Sequence, residues 1–273
     1  VSPSRADAQP HAKGEVTVFG WNPAVGSIDT RALEGVSGIV NLAGASIAKR
    51  WTAEHRKLIR DSRVDSLRTL RKAIESGGHS IDFMVSSSAV GYYPSSTEQV
   101  FTEEDTPDDG FLGAVSQEWE AEAQKFENFG MRVALMHTGI VLAEEGGALP
   151  VMAKTVKWFV GAPLGSGKQV MPWIHLDDLC RMYLHAITAQ LSGAFNAVGI
   201  KGATNAEMTK AIGRALGRPV WPVHVPAFAL KAVLGDQSQL VLMSSPCSPE
   251  KIIQSGFTYS YADLDQALVD ILQ

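Results

Sequence analysis

Cysteine is nearly missing from this 273-residue chain: Cys180 and Cys247 stand far apart, without metal-type neighbours. A disulfide framework and a cysteine-based metal centre are therefore excluded, no metal site is read, and two reduced structural thiols in a cytoplasmic protein are expected. Excess positive charge is also missing. The formal net charge is -5 and no basic stripe appears, so no nucleic-acid partner is expected. No apolar run approaches the roughly 20 residues that cross a bilayer, so no membrane partner is expected either. Val1 to Pro10 is polar and irregular and does not read as a secretory leader. Repeats of fixed period and low-complexity linkers are absent. What remains is 45% hydrophobic and 19% charged, which suits one large α/β domain or two smaller ones.

The stretch Gly38 to Gly44 (Gly-Ile-Val-Asn-Leu-Ala-Gly) organises the rest. A short β-branched run that stops at a polar residue and a glycine reads as a buried parallel strand. Ligands of open α/β sheets lie beyond the carboxyl ends of the strands, which is where Asn41, Leu42, Ala43 and Gly44 would sit. Gly44 would let the backbone approach a flat, negatively charged cofactor; an ordinary turn is the alternative. Further strands are expected at Glu15 to Trp21, Ile81 to Ser86, Arg132 to Met136, Ala194 to Val198 and Val220 to Val223. The clearest helix opens at Thr52 and closes at Gly77-Gly78. Others are expected at Ser116 to Phe129, with Trp119, Ala123 and Phe126 inward, and at Leu149 to Val160. Asp177 would cap a helix to Thr188, and Asn205 one to Leu216. Short helices at Glu250 to Gln254 and Ala262 to Leu272 end the chain. Strand–helix alternation gives way to mostly helix near residue 145. We therefore expect a Rossmann-like, doubly wound α/β domain over 1–145 plus about 172–200, and a smaller, mostly helical lobe over 146–171 and 201–273.

Several side chains could carry chemistry. Ser86, Ser87 and Ser88 end a strand where substrate would lie, or satisfy local backbone groups. Ser88 could polarise a substrate oxygen, and Tyr92 or Tyr93 could donate a proton. His175, beside Trp173, could do the same, or could bond the start of the next helix while Trp173 fills core. Lys168 and Gln169 end a Gly-rich loop, Gly161 to Lys168, suited to substrate contacts or to an ordinary flexible surface. That loop lacks the glycine spacing of a P-loop, and no Gly-x-Ser-x-Gly elbow supports a hydrolase. Ser4 and Arg5 belong to a solvated tail or to a phosphate site.

Taken in order, the motifs resemble the short-chain dehydrogenase/reductase superfamily, in its extended, epimerase-like branch, and within that the atypical "epimerase family protein" subgroup. The resemblance is carried by Asn41 to Gly44, Lys49 to Thr52, Ser62-Arg63-Val64, Ala89 to Tyr93, Trp119-Glu120, Thr138 to Leu142, Gly146 to Ala148, Pro163 to Gln169, Trp173 to His175 and Phe195-Asn196. It implies NADP ahead of NAD as cofactor. Ser4 and Arg5 would flank the 2′-phosphate, Leu42 and Ala43 the adenosine and pyrophosphate, and Arg63 and Val141 the remainder. It also implies an oxidoreductase or epimerase acting on a small carbonyl or sugar-like molecule, with a non-catalytic NADP sensor as the alternative. A small-molecule substrate is the expected partner, and a homodimer is left open.

Four departures qualify the resemblance. The Gly-rich strand–turn–helix that opens such domains does not occur in the sequence, so roughly 30 further residues upstream are expected in the natural protein. The superfamily's Tyr-x-x-x-Lys pair is missing where it would fall, around Phe111 to Ser116. His137 stands where the subgroup usually has Arg. Ala45 stands where an acidic residue is frequent.

Overall fold

The computed structural model describes residues 16–273. The first elements form a small antiparallel pairing, β1 (Trp21–Asn22) with β2 (Ser27–Ile28). The strand expected over Glu15 to Trp21 is reduced to that pairing in its described part, and a 3-10 turn at Thr30–Leu33 follows. Then come β3 (Gly38–Asn41), α1 (Ala53–Gly77), β4 (Phe83–Ala89), α2 (Phe111–Gln124), β5 (Arg132–Thr138) and β6 (Ile140–Leu142). The second half holds α3 (Leu149–Lys157), β7 (Val170–Met171), β8 (Trp173–His175), α4 (Leu176–Thr188), β9 (Gly193–Ala197) and β10 (Ala203–Thr204). Helices α5 (Asn205–Leu216), α6 (Ala227–Leu234), α7 (Gln239–Leu242), α8 (Glu250–Gln254) and α9 (Leu264–Leu272) finish the chain.

Strands β3, β4, β5 and β9 form one parallel sheet in the order β3-β4-β5-β9. Alternate residues leave opposite faces of a strand, and here both faces are apolar. Met84, Val133 and Leu135 meet Leu67, Leu70 and Ile74 of α1 and Trp119 and Ala123 of α2. Val85, Ala134 and Met136 meet Leu179, Met182 and Ala186 of α4 on the other face. A parallel sheet needs this double cover, which is why its strands read as short apolar runs. Among the described residues β3 is an edge strand, with Val40 and Leu42 exposed.

A third apolar cluster gathers Leu149, Ala153 and Val156 of α3, Met208, Ala211 and Ile212 of α5 and Leu268 of α9 against Leu142 of β6 and Trp173 of β8. Thr204 caps α5 in a reciprocal box with Glu207, one residue before the expected Asn205, and Gly217 ends the helix at φ 60. The strand expected over Val220 to Val223 does not form; Val225 makes an isolated bridge to Leu164 instead.

The C-terminal segment reaches back over the carboxyl end of the sheet as a strap. Gln237 donates to Ala48 O at 2.7 Å and Arg56 pairs with Asp236 at 3.0 Å. Farther along, Ser96 N donates to Ser244 O at 2.6 Å and Phe101 N to Pro246 O at 2.8 Å. Residues 236–246 thus cross from the loop before α1 to the loop after β4.

Candidate functional site

Asn41 closes β3 and is buried. Its Oδ1 accepts from Ala43 N at 3.3 Å, shaping the turn, while its Nδ2 donates to Ser86 Oγ on β4 at 3.1 Å. Leu42 projects outward at 67% exposure, an apolar surface at a strand tip. Gly44 has a close side-chain neighbour besides the expected open backbone. A Cβ there would stand 3.1 Å from Arg63 Cζ, so the missing side chain makes room for a guanidinium. Arg63, from α1, donates to Ala45 O at 3.2 Å and Ile59 O at 2.8 Å and lies 5.0 Å from the Trp119 ring centre. Burial pulls its pKa down to about 10, which leaves it a cation at neutral pH. Val141, on β6 beside Ile174 of β8, is half-buried against the second core cluster.

Strand β4 runs through all three serines to Ala89 rather than ending at Ser86. Their hydroxyls therefore alternate in direction: Ser86 meets Asn41, Ser87 faces Tyr183, and Ser88 donates to Glu120 Oε1. From Glu120 a buried polar chain continues across the sheet. His137 Nε2 lies 3.0 Å from Glu120 Oε1, His137 Nδ1 lies 2.7 Å from Tyr93 Oη, and Tyr93 donates to Asn196 Oδ1 at 2.7 Å. Ser88, His137, Tyr93 and Asn196 are each at most 2% exposed. The half-buried Tyr92 stacks on His137 at 4.9 Å, and burial together with the Glu120 charge raises its phenol pKa. Tyr93 is raised further, chiefly by burial.

A cleft of about 540 Å³ opens between this region and the lobe. Gly91, Tyr93, Asp108 and Leu112 line one wall; Gln169, Lys231 and Leu242 line the other.

The remaining expected residues are placed elsewhere. Ser4 and Arg5 lie outside the described residues. His175 is corrected to a helix cap. Its Nδ1 accepts from Asp177 N at 3.1 Å, its Nε2 lies 3.3 Å from Asp270 Oδ2, and its ring stacks on Tyr261 at 3.7 Å. The capping role expected of Asp177 thus falls to His175, while its Nε2 is buried and makes no aligned hydrogen bond. Trp173 is corrected from substrate contact to core, with 1% exposure. Lys168 is exposed outside the cleft lining, whereas Gln169 lines it. The Gln169 amide, however, already donates to Leu164 O and Val241 O, both at 2.9 Å.

Glu120, His137, Tyr93 and Asn196 form the connected group that the sequence reading did not assemble. Their signal was a polar residue where the period places the interior: Glu120 beside inward Trp119, His137 between Met136 and Thr138, Asn196 between Phe195 and Ala197. Helix α2 also begins at Phe111, five residues before the expected start, which brings Glu120 to mid-helix.

Comparison with known proteins agrees with this architecture. The model of the NAD dependent epimerase/dehydratase family matches residues 27–198, and a domain of unknown function, DUF1731, matches residues 225–271. An epimerase family protein of Mycobacterium leprae is 37% identical over 251 residues, 91% of this chain and 81% of that protein. A chloroplastic relative in Arabidopsis thaliana is 37% identical over 247 residues, 88% of this chain and 70% of that one. The crystal structure of a human epimerase family protein with NADPH superposes with a TM-score of 0.81 at 31% identity, covering 88% of this chain and 84% of that one. The UDP-glucuronic acid 4-epimerase of Bacillus cereus shares the fold at 13% identity and a TM-score of 0.73. The chain belongs to the NAD dependent epimerase/dehydratase family.

Proposed function

We propose that this protein is an NADP-dependent oxidoreductase or epimerase acting on a small carbonyl or sugar-like substrate held in the cleft under the C-terminal lobe. One observation carries the reading. Asn41, Ser86 and Ser88 share one sheet edge, and the 236–246 strap lies over that same edge. Such a crevice is where open α/β sheets take nucleotides.

The residues at the edge fit a dinucleotide. Leu42 offers an apolar face for a base, the Asn41 turn is preformed, and Arg63 holds a positive charge behind Gly44. Bound there, the cofactor would supply hydride chemistry, and the protein would supply orientation and a proton. NADP is favoured over NAD by the NADPH found in the human relative and by Ser4 and Arg5. Tyr92, half-buried and stacked on His137, offers a further hydroxyl at this strand tip; burial and the Glu120 charge raise its pKa, so it serves as a hydrogen-bond donor to the substrate rather than as its proton source. Ser88 orients with it at the carboxyl end of β4. Lys231 gives the far wall of the cleft a cation for an anionic substrate group.

The test is NADPH fluorescence titration followed by a carbonyl and nucleotide-sugar panel. Turnover that is lost in Ser88→Ala and Tyr92→Phe supports the enzyme. Tight NADPH binding with no turnover on any member supports a cofactor-reporting protein instead, and no NADPH binding overturns both.

A further inference from the structure

Counting protons along the buried chain gives an unexpected total. Asn196 Nδ2 faces two carbonyls, Phe101 O at 3.4 Å and Ser248 O at 3.0 Å. Only a donor can face two acceptors, so its Oδ1 is the atom turned toward Tyr93. Tyr93 spends its single hydroxyl proton on that oxygen. Its other neighbour, His137 Nδ1 at 2.7 Å, must then carry a proton of its own and donate. The second ring nitrogen, Nε2, lies 3.0 Å from Glu120 Oε1, out of line for a good hydrogen bond, and that oxygen already accepts from Ser88. A bare Nε2 would leave its electron-rich nitrogen 3.0 Å from an ionised carboxylate oxygen at a site where His137 is 1% and Glu120 8% exposed. The contact becomes attractive when one more proton resides on the pair, as imidazolium beside carboxylate or as carboxylic acid beside imidazole.

We propose that Glu120 and His137 jointly store this proton and act as the proton reservoir of the site, in place of the Tyr–Lys pair that the sequence lacks. The reservoir role rests on the proposed function; the stored proton does not. In reduction, the bound dinucleotide would supply hydride to the substrate carbon, leaving the carbonyl electron pair on the substrate oxygen. That oxygen takes the Ser88 hydroxyl proton to become an alcohol. Ser88 is recharged by the Glu120–His137 pair, which is left one proton short and reloads from solvent. Oxidation runs the same steps backwards. Glu120 and His137 are positioning residues here, acting through Ser88.

The phenols facing the pair do not compete for the proton near neutrality. Tyr92 and Tyr93, from the segment after β4, are held protonated, with burial the main cause. Cys247, whose charge would act on Tyr93, is pushed up to about 12 by burial. Glu103, from the loop after β4, is occupied by Asn196 N at 2.6 Å.

Isotope-labelled histidine and glutamate in the full, cofactor-free chain test the stored proton by NMR, with His137→Gln assigning the histidine signal. Near pH 8, above the ordinary histidine range, His137 is expected with both nitrogens protonated, or Glu120 as a carboxylic acid. A neutral imidazole beside an ionised Glu120, in either tautomer, overturns the proposal. His137→Arg tests the role, because it keeps a cation for Glu120 but releases no proton near neutrality. On any substrate the unsubstituted chain turns over, this variant is expected to keep its melting temperature and NADPH affinity. Its turnover should fall about 100-fold or more, with loss of the ionisation from the pH–rate profile. An unchanged rate and profile in His137→Arg overturns the reservoir. Absence of turnover in the unsubstituted chain instead defeats the proposed function, while the NMR result stands by itself.

Discussion

Asn41 on β3 and Ser86 on β4 are joined side chain to side chain, Nδ2 to Oγ at 3.1 Å, directly across the strand pairing. The same amide shapes the turn through Ala43 N, so one residue sets both the spacing of two strand tips and the loop between them. Asn41→Asp keeps the acceptor, removes the donor and places a buried negative charge beside the proposed pyrophosphate. NADPH affinity is expected to fall about tenfold or more, equivalent to about 1.4 kcal/mol, in fluorescence titration. An unchanged affinity would remove the cofactor from this turn.

Arg63 makes a second, pH-dependent prediction. Its folded pKa is lowered from 12.5 to about 10 by burial. Between those values the unfolded chain binds the extra proton, so stability attributable to this residue rises with pH above about 10; below that, its buried charge is a constant cost. If the charge faces the cofactor, NADPH affinity should stay flat from neutrality to about pH 9 on this residue's account and decline above about pH 10. Arg63→Leu should remove the decline, lower affinity at neutral pH about tenfold, and leave the chain folded. Titrations of both proteins across that range decide it.

Much of the scaffold was legible because it obeys local rules. Thr52 and Gly78 bound α1 through a hydroxyl cap and a left-handed glycine, both visible as residue types. Met84 and Val85 leave opposite faces of β4 into separate apolar clusters, which is what a continuous apolar run encodes. Contacts between residues distant in sequence were not legible. Nothing local to Glu120 announces His137, because they meet only when α2 packs against the sheet. His175 was ambiguous for the opposite reason: a histidine one residue before a helix can cap it or catalyse, and only its contacts with Asp270 and Tyr261, from the chain's end, decide. Gly44 was read through its own backbone, and the space it leaves for Arg63, 19 residues on, was not visible locally.

Asp178 should be the residue whose loss most loosens the C-terminal segment. It is fully buried, and its two oxygens accept from Ser260 N and Tyr261 N, each at 2.8 Å, with Arg181 donating at 2.8 Å. Asp178→Ala leaves the Ser260 and Tyr261 backbone donors without their acceptor, while the half-exposed Arg181 keeps Ser260 Oγ and Thr258 O. A loss of about 3 kcal/mol is expected from the two stranded donors, read as a lower urea midpoint. Asp178→Asn retains one acceptor and should recover part of it. A loss below about 1 kcal/mol for the alanine change would show that the clamp is not holding this segment.

Gln169 supplies a pH signature at the cleft itself. Its amide donates to Leu164 O and Val241 O, so it fastens the Gly-rich loop to the strap above the strand tips. Gln169→Glu keeps the shape and removes both donors, leaving a buried carboxyl group facing two carbonyl oxygens. Desolvation and those dipoles raise the folded-state pKa of the new acid above its unfolded value of roughly 4.3. Protonated, it donates to one carbonyl; ionised, it repels both. The variant is therefore expected to be close to wild-type stability in acid and to lose about 2 kcal/mol as pH rises through the raised pKa. Substrate affinity should weaken over the same range as the strap loosens. Paired urea titrations near pH 5 and pH 8 read the effect directly, and a deficit identical at both would show that the loop and strap are held by something other than this amide.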